Sequence, residues 1–262
     1  MATANTGIPR RVTRGIGFGI DIGGSGIKGA PVDLSTGALR AERVRIDTPQ
    51  PSKPDAVAEV VAQVLQHFGR GTGTRPIGVT FPAVIQHGVA RTAANVDRSW
   101  IDTDVDEVFT KRLDRSVHVL NDADAAGLAE ARYGAARGQR GLVLMATLGT
   151  GIGTALLIDG HLVPNTEFGH LEIDGHDAES RAASSVKERE GLSFKEWSER
   201  LQRYFSHLEN LLWPDLIVVG GGVSKKADKF LPRLQLRTPI VPAELLNDGG
   251  IIGAGLHAAE LG

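Results

Sequence analysis

Residues 16–32 read Ile16-Gly17-Phe18-Gly19-Ile20-Asp21-Ile22-Gly23-Gly24-Ser25-Gly26-Ile27-Lys28-Gly29-Ala30-Pro31-Val32, and this stretch decides the fold. Ile16–Ile22 alternates as a strand should. Gly23-Gly24-Ser25-Gly26 is a turn without side-chain bulk, and Ile27–Val32 reads as a second strand. Asp21 therefore stands at a strand end beside a bare turn. Such a turn lets backbone N–H groups approach a phosphate, and the carboxylate is placed to hold Mg2+ through water. Gly-Gly-Ser-Gly is equally good chemistry for a plain hairpin. The glycine spacing matches neither a P-loop nor a dinucleotide fingerprint.

Outward from this hairpin, Ser35-Thr36-Gly37 is a turn and Arg43–Ile46 continues the meander. Val57, Val60, Val61, Val64, Leu65 and Phe68 recur at helical spacing behind the first-turn residues Pro54-Asp55. Ile77–Phe81 is a short apolar strand. Val117–Leu120 is another, ending in Asn121-Asp122, and residues 123–136 form an alanine-rich helix. Leu142–Leu148 and Thr154–Ile158 read as strands flanking Gly149-Thr150-Gly151-Ile152-Gly153. The clearest helix covers residues 193–213: Ser193 and Glu196 fit a capping box, and Phe194, Trp197, Leu201, Tyr204, Phe205, Leu208, Leu211 and Leu212 share one stripe. Leu216–Val219 is a buried-type strand that runs into Gly220-Gly221-Gly222, and a helix over 249–260 closes the chain. Meander, helix and strand occur twice, near residues 14–80 and 140–220. That predicts two related α/β halves packed around a cleft.

Composition narrows the function classes. The 262 residues are enough for one large domain or two small ones, and 41% apolar with 23% charged content is ordinary for a globular chain. A net charge of −2 gives no reason to expect nucleic acid or an anionic membrane as partner. The absence of cysteine excludes disulfides and thiolate metal sites and is compatible with a reducing cytoplasm. Residues 1–14, a polar and basic arm, lack the apolar core of a secretory signal, and no apolar run approaches the roughly 18 residues of a membrane span. A cytoplasmic protein is expected.

Three features carry chemistry. Gly149-Thr150-Gly151 repeats the logic of the first hairpin in the second half, so two bare turns on facing halves are able to grip opposite sides of a polyphosphate tail. Asn121-Asp122 places a carboxylate at a strand-to-helix junction, where side chains reach into a cleft; both residue types are also good N-caps. Glu167-Phe168-Gly169-His170 offers an acid and an imidazole three residues apart. His161, His170 and His176 fit no familiar zinc spacing. Gly221-Gly222 either approaches a ligand closely or ends its strand.

Taken in order, DIGGSGIK, NVDRSW, NDADAAG, TLGTGIG, TEFGH and LIVVGGGVS resemble the ROK family of bacterial sugar kinases, from about residue 15 to 260. The resemblance is strongest to the polyphosphate-using glucokinase and glucomannokinase branch, through NLLWPDLIVVGGGVSKKADKFLP. It implies a two-lobed actin/hexokinase-like (ribonuclease H-like) α/β fold, with residues 15–120 plus 249–262 in a small lobe and 121–248 in a large one. It implies Asp122 as the base that takes the proton from the sugar 6-hydroxyl. Asn95, Asn121, Glu167, His170 and Glu179 match sugar contacts. Gly23, Gly24, Ser25, Lys28, Gly149, Thr150, Gly151, Gly221 and Gly222 would face the phosphoryl donor, and Asp21 would hold Mg2+ through water. Glucose or mannose is the implied acceptor; polyphosphate or ATP is the donor.

The chain departs from the family in one place. Most members carry zinc-binding cysteines between the positions of His170 and Glu179, where this chain has Ile173-Asp174-Gly175-His176-Asp177-Ala178. No structural zinc is expected, and the sequence leaves open what orients His170. Lys225, Lys226, Lys229 and Arg233 form a basic run after the third glycine cluster, and Arg10, Arg11 and Arg14 add charge on the arm. Either a polyphosphate track or a solvated helix face fits such a run. Sugar-responsive repressors of the same family carry a DNA-binding segment ahead of the first glycine motif; about 15 residues stand there, too few for one. A non-catalytic sugar sensor, the choice of sugar and donor, and monomer against homodimer stay open.

Overall fold

The computed structural model describes residues 14–262, so the expectation for Arg10 and Arg11 lies outside the described residues. β1 (Ile16–Ile22), β2 (Gly26–Asp33) and β3 (Val44–Asp47) form the expected meander, followed by α1 (Pro54–Phe68) with proline in its first turn. β4 (Ile77–Phe81) leads to the small hairpin β5 (Ile85–Gln86) and β6 (Val89–Ala90), then α2 (Val105–Leu113) and β7 (Val117–Asn121). α3 (Asp122–Tyr133) starts directly at the end of β7.

The second half opens with β8 (Leu142–Leu148), β9 (Ile152–Ile158) and β10 (His161–Val163). A hairpin of β11 (Glu172–Ile173) and β12 (His176–Asp177) precedes the short helices α4 (Glu179–Ala182) and α5 (Ser184–Arg189). α6 (Phe194–Leu212), β13 (Leu216–Gly220), β14 (Ile240–Pro242) and α7 (Gly249–Leu261) complete the chain.

The two sheets have the same topology. One runs β3-β2-β1-β4-β7 and the other β10-β9-β8-β13-β14, each with an antiparallel meander on one side and parallel strands on the other. The internal duplication legible in the sequence is therefore real, and it extends beyond residue 220 to β14.

Alternation along β1 explains the layers. Phe18, Ile20 and Ile22 point into a core completed by α1 and α2. On the opposite face, Gly19 and, in β4, Gly78 let α7 lie with its backbone against the sheet: a methyl at either would strike the carbonyl of Ile251 or Ala254. The second sheet packs α6 on one face through Trp197, Leu201, Phe205 and Leu208, and α3 on the other. α3 and α7 in turn pack on each other. The order of layers is α1/α2, first sheet, α7, α3, second sheet, α6.

Differences from the sequence reading have local causes. β9 begins at Ile152 because Leu148 pairs with Ile152, which shrinks the second glycine hairpin to Gly149-Thr150-Gly151. α3 stops at Tyr133 because Gly134 caps it, donating its N–H to Glu130 O. α2 escapes hydrophobic periodicity: it is mostly charged, buries only Val105 and Phe109, and is started by Asp104, whose side chain accepts from the Glu107 N–H. The capping box on α6 forms as expected, with Ser193 and Glu196 exchanging hydrogen bonds; such caps contribute about 1 kcal/mol.

Candidate active site

Asp122 is the first residue of α3, where a parallel strand of the first sheet hands over to the helix that packs on the second. Asn121 is the N-cap: its Oδ1 accepts from the N–H groups of Ala123 at 2.8 Å and Asp124 at 3.2 Å, and its Nδ2 donates to Ala83 O. One Nδ2 hydrogen is left for a ligand. Capping thus falls to Asn121 and leaves the Asp122 carboxylate with backbone contacts only to the Ala123 N–H and its own N–H.

Asp122 keeps contact with solvent, while protein atoms pack densely around its carboxylate. Burial, reinforced by the carboxylates of Asp21 and then Glu167, pushes it up to about 6. A carboxylate in this range is poised to accept a proton near neutral pH. Activity is expected to fall tenfold per pH unit below about pH 6, because only the ionised form acts as base. A pH profile of kcat/KM with its acid limb near the ordinary aspartate value of about 4 would contradict the environment described here.

Asp124, one residue beyond, is 1% exposed and was not singled out from the sequence. Its Oδ2 accepts the Asn165 N–H at 2.8 Å while its Oδ1 has no partner, and burial pushes it up to about 7. Asn165 also exchanges two hydrogen bonds with the backbone of Ile85. Asp124 and Asn165 thereby fix the loop that carries Glu167 to the start of α3 and to the β5–β6 hairpin. Both Asp122 and Asp124 favour the neutral form in the fold. Their contribution to stability is full below about pH 4 and is lost as pH rises through 6 to 7.

Glu167, His170 and Glu179 form the other wall. His170 Nε2 lies 3.9 Å from Glu167 Oε2, and the ring's Nδ1–H donates to Asp177 Oδ2 at 2.9 Å. Asp177 therefore orients the imidazole in the absence of the family's cysteine cluster. It raises the pKa of His170, chiefly through that hydrogen bond. Desolvation raises Glu167, with His170 opposing. Glu179 Oε2 accepts the Ile152 N–H at 3.0 Å and lies against Gly151, which joins this wall to the second glycine turn. Asp177→Asn is expected to lower the His170 pKa toward 6.5 and raise the KM for sugar several-fold. NMR titration of the ring and steady-state kinetics check this; an unmoved His170 titration would show that Asp177 does not hold it.

Both glycine turns have their carbonyls occupied, and each is closed by its first amide, Gly23 N–H donating to Gly26 O and Gly149 N–H to Gly151 O. In the first turn, Thr48 Oγ1, Gln50 Nε2 and Arg45 Nη2 donate to the carbonyls of Gly23, Gly24 and Ser25, and no acceptor among the described residues takes the Gly24 or Ser25 N–H. Asn95 is exposed and lies against Gly24. In the second turn, the side chains of Ser184 and Ser185 donate to the carbonyls of Gly149 and Thr150. Gly221 adopts φ +83° with its Cα against the backbone of Leu148, a position that excludes any side chain. Gly149, Thr150, Gly222 and Lys226 line one cleft of about 320 Å³, whereas Lys225, Lys229 and Arg233 of the same basic run do not.

Asp21 Oδ1 accepts from Thr80 Oγ1 at 2.8 Å, and its Oδ2 lies 3.4 Å from Lys28 Nζ. With an ammonium this near and lone pairs left on both oxygens, the carboxylate suits a water-mediated Mg2+ better than a directly bound one. Zinc held by cysteines does not fit a chain that has none. His170, Asp177 and Glu179 bring ligand atoms within 4.8 Å of one another, but all three are already engaged in the hydrogen bonds above. A larger concavity of about 460 Å³ between the β11–β12 hairpin and α6 lies apart from this chemistry; its Arg203 and Arg200 are paired with Asp174 and Glu190.

Comparison with known proteins agrees with this geometry. The chain is 54% identical over 250 residues to the polyphosphate glucokinase of Mycobacterium tuberculosis, covering 95% of this chain and 93% of that protein. It is 52% identical over 241 residues to the polyphosphate glucokinase of Mycobacterium leprae, covering 92% and 74%. The crystal structure of the inorganic polyphosphate/ATP-glucomannokinase from Arthrobacter sp. strain KM matches with a TM-score of 0.91 at 58% identity, over 94% of this chain and 99% of that one. A ROK family glucokinase from Streptomyces griseus, in complex with glucose and AMPPNP, shares the fold with a TM-score of 0.80 at 21% identity, over 93% and 99%. Residues 17–185 match the ROK family. The chain belongs to the ROK family and has its two-lobed actin/hexokinase-like fold.

Proposed function

We propose that this chain transfers a phosphoryl group from inorganic polyphosphate or ATP to the 6-hydroxyl of glucose, with mannose as a second acceptor. The observation that carries the reading is Asp122: a carboxylate freed from capping, raised to about 6, at the junction of the two sheets and within the influence of Asp21 and Glu167. Phosphoryl transfer passes through a loose transition state, so catalysis is mainly positioning and charge stabilisation. Asp122 takes the hydroxyl proton as the O–P bond forms. Glu167, Glu179, Asn95, the remaining Asn121 hydrogen and the free Nε2 of His170 hold ring hydroxyls, acceptor to O–H and donor to oxygen.

The amides of Gly24 and Ser25, with Lys28, face the donor from one lobe, and those of Thr150 and Gly151 face it from the other, near Gly221 and Gly222. Mg2+, when bound near Asp21 through water, supplies charge neutralisation on the phosphate oxygens. The lobes are taken as residues 15–120 plus 249–262 and residues 121–248, with closure of one on the other excluding water, the competing nucleophile. Among the described residues no helix is long and apolar enough to cross a membrane. The test is a steady-state assay that crosses glucose and mannose with long-chain polyphosphate and ATP. Glucose 6-phosphate is expected from polyphosphate without any nucleotide present. Absence of sugar phosphate with either donor would overturn the reading.

A further inference from the structure

We propose that the donor cleft continues past the transferring phosphate into a cationic subsite built on Phe194, where Lys187, Lys226 and Lys229 hold the distal residues of a polyphosphate chain. The inference rests on the kinase reading above and assigns the path of its donor.

The cleft that begins at Gly149, Thr150 and Gly222 ends on Phe194, with Lys187 and Lys226 in its walls. Lys187 Nζ sits 4.4 Å from the centroid of the Phe194 ring, and Lys229 Nζ sits 5.7 Å from it. Lys187 and Lys229 come from two segments far apart in sequence, α5 and the turn after β13, and both approach the same ring. The ring itself is fixed: Phe230 stacks parallel to it at 6.2 Å and Trp197 meets it edge-on at 6.2 Å. The ammonium groups are thus held in place by a packed ring rather than waving from a solvated helix.

None of the three pairs with a carboxylate of the described residues, while neighbouring Arg189 and Arg200 are both paired with Glu190. Glu188 is the one acid lining the cleft. Unpaired cations converging at the far end of a phosphate cleft call for a ligand that is still anionic there. A polyphosphate chain carries a negative charge on every internal residue, whereas a nucleoside triphosphate ends in a neutral base and sugar. Lys187 already lies over the Phe194 ring, so the ring offers a cation rather than a bare surface for a base. The wall selects the polyanion.

The experiment compares wild type with Lys187→Gln/Lys229→Gln and, separately, Lys226→Gln and Phe194→Leu. Each is assayed with tripolyphosphate, long-chain polyphosphate and ATP at saturating glucose. The expected result is a fall of about tenfold or more in the ratio of kcat/KM for long-chain polyphosphate to that for ATP, with a loss that grows with chain length and shrinks at high salt. An unchanged ratio, or the same loss for tripolyphosphate as for the long chain, would overturn the subsite while leaving the kinase reading intact. Failure of the wild type to use polyphosphate at all would remove the subsite together with the polyphosphate donor, and turnover with ATP would then leave the kinase reading standing. Phe194→Leu keeps every charge but takes away the ring, so a loss there reports the placement of the lysines.

Discussion

Replacing Asp122 by Asn lowers kcat for glucose phosphorylation by at least about 10²-fold, the usual scale for a general base, and leaves glucose affinity within a few-fold of wild type. The asymmetry follows from the site. An amide has the shape of the carboxylate and still offers an oxygen to the 6-hydroxyl, but it cannot take the proton. It also relieves the repulsion from Asp21 and Glu167 that raises the carboxylate in the first place. The variant therefore folds, and its defect is chemical. Steady-state kinetics and calorimetric titration of glucose separate the two effects. Turnover within a few-fold of wild type would show that another group takes the proton.

The second large effect concerns the layer between the lobes. Gly253→Ala is expected to destabilise the protein by about 3 kcal/mol, lowering Tm by roughly 6–12 °C. Alanine is the better helix former by about 1 kcal/mol, so an incidental glycine at this position would give the opposite sign. Here a methyl on α7 would fall onto the backbone carbonyl of Ala125 in α3. The helix that begins with Asp122 would have to move away from the helix lying on the first sheet. A thermal unfolding midpoint equal to or above that of wild type would show that the two helices are not in backbone contact there.

Much of the fold was legible in the sequence because strand period and glycine turns are local signals. The alternation around Asp21 and the repeat of meander, helix and strand led to two like sheets, and both are present. What periodicity does not carry is which face meets what. The glycines at 19, 78 and 253 are bare because helices approach the sheet and each other at backbone distance, and that is a tertiary fact. α2 was missed because its burial rests on two side chains, although Asp104 and Glu107 gave a capping signal three residues apart.

In the site, the strand-to-helix junction exposed the place of Asp122, which lies near enough to Asp21 and Glu167 to feel their charge, as Glu167 feels that of Glu179. Their roles still rest on the proposal. Asp177 was invisible as a partner of His170, since the contact forms only when the β11–β12 hairpin folds back. Asp124 looked like an ordinary first-turn acid. Its burial depends on Asn165, some forty residues downstream. Lys187 lies in a six-residue helix remote in sequence from the run Lys225, Lys226, Lys229 and Arg233, so the run alone did not point to it.

The most direct measurement is the position of glucose in a crystal structure of the complex. The account predicts the sugar between the lobes, with its 6-hydroxyl oxygen about 2.6–3.2 Å from an Asp122 carboxylate oxygen and its other hydroxyls on Glu167, His170 and Glu179. Glucose bound elsewhere, or bound in the crevice with that hydroxyl turned away from Asp122, would contradict it.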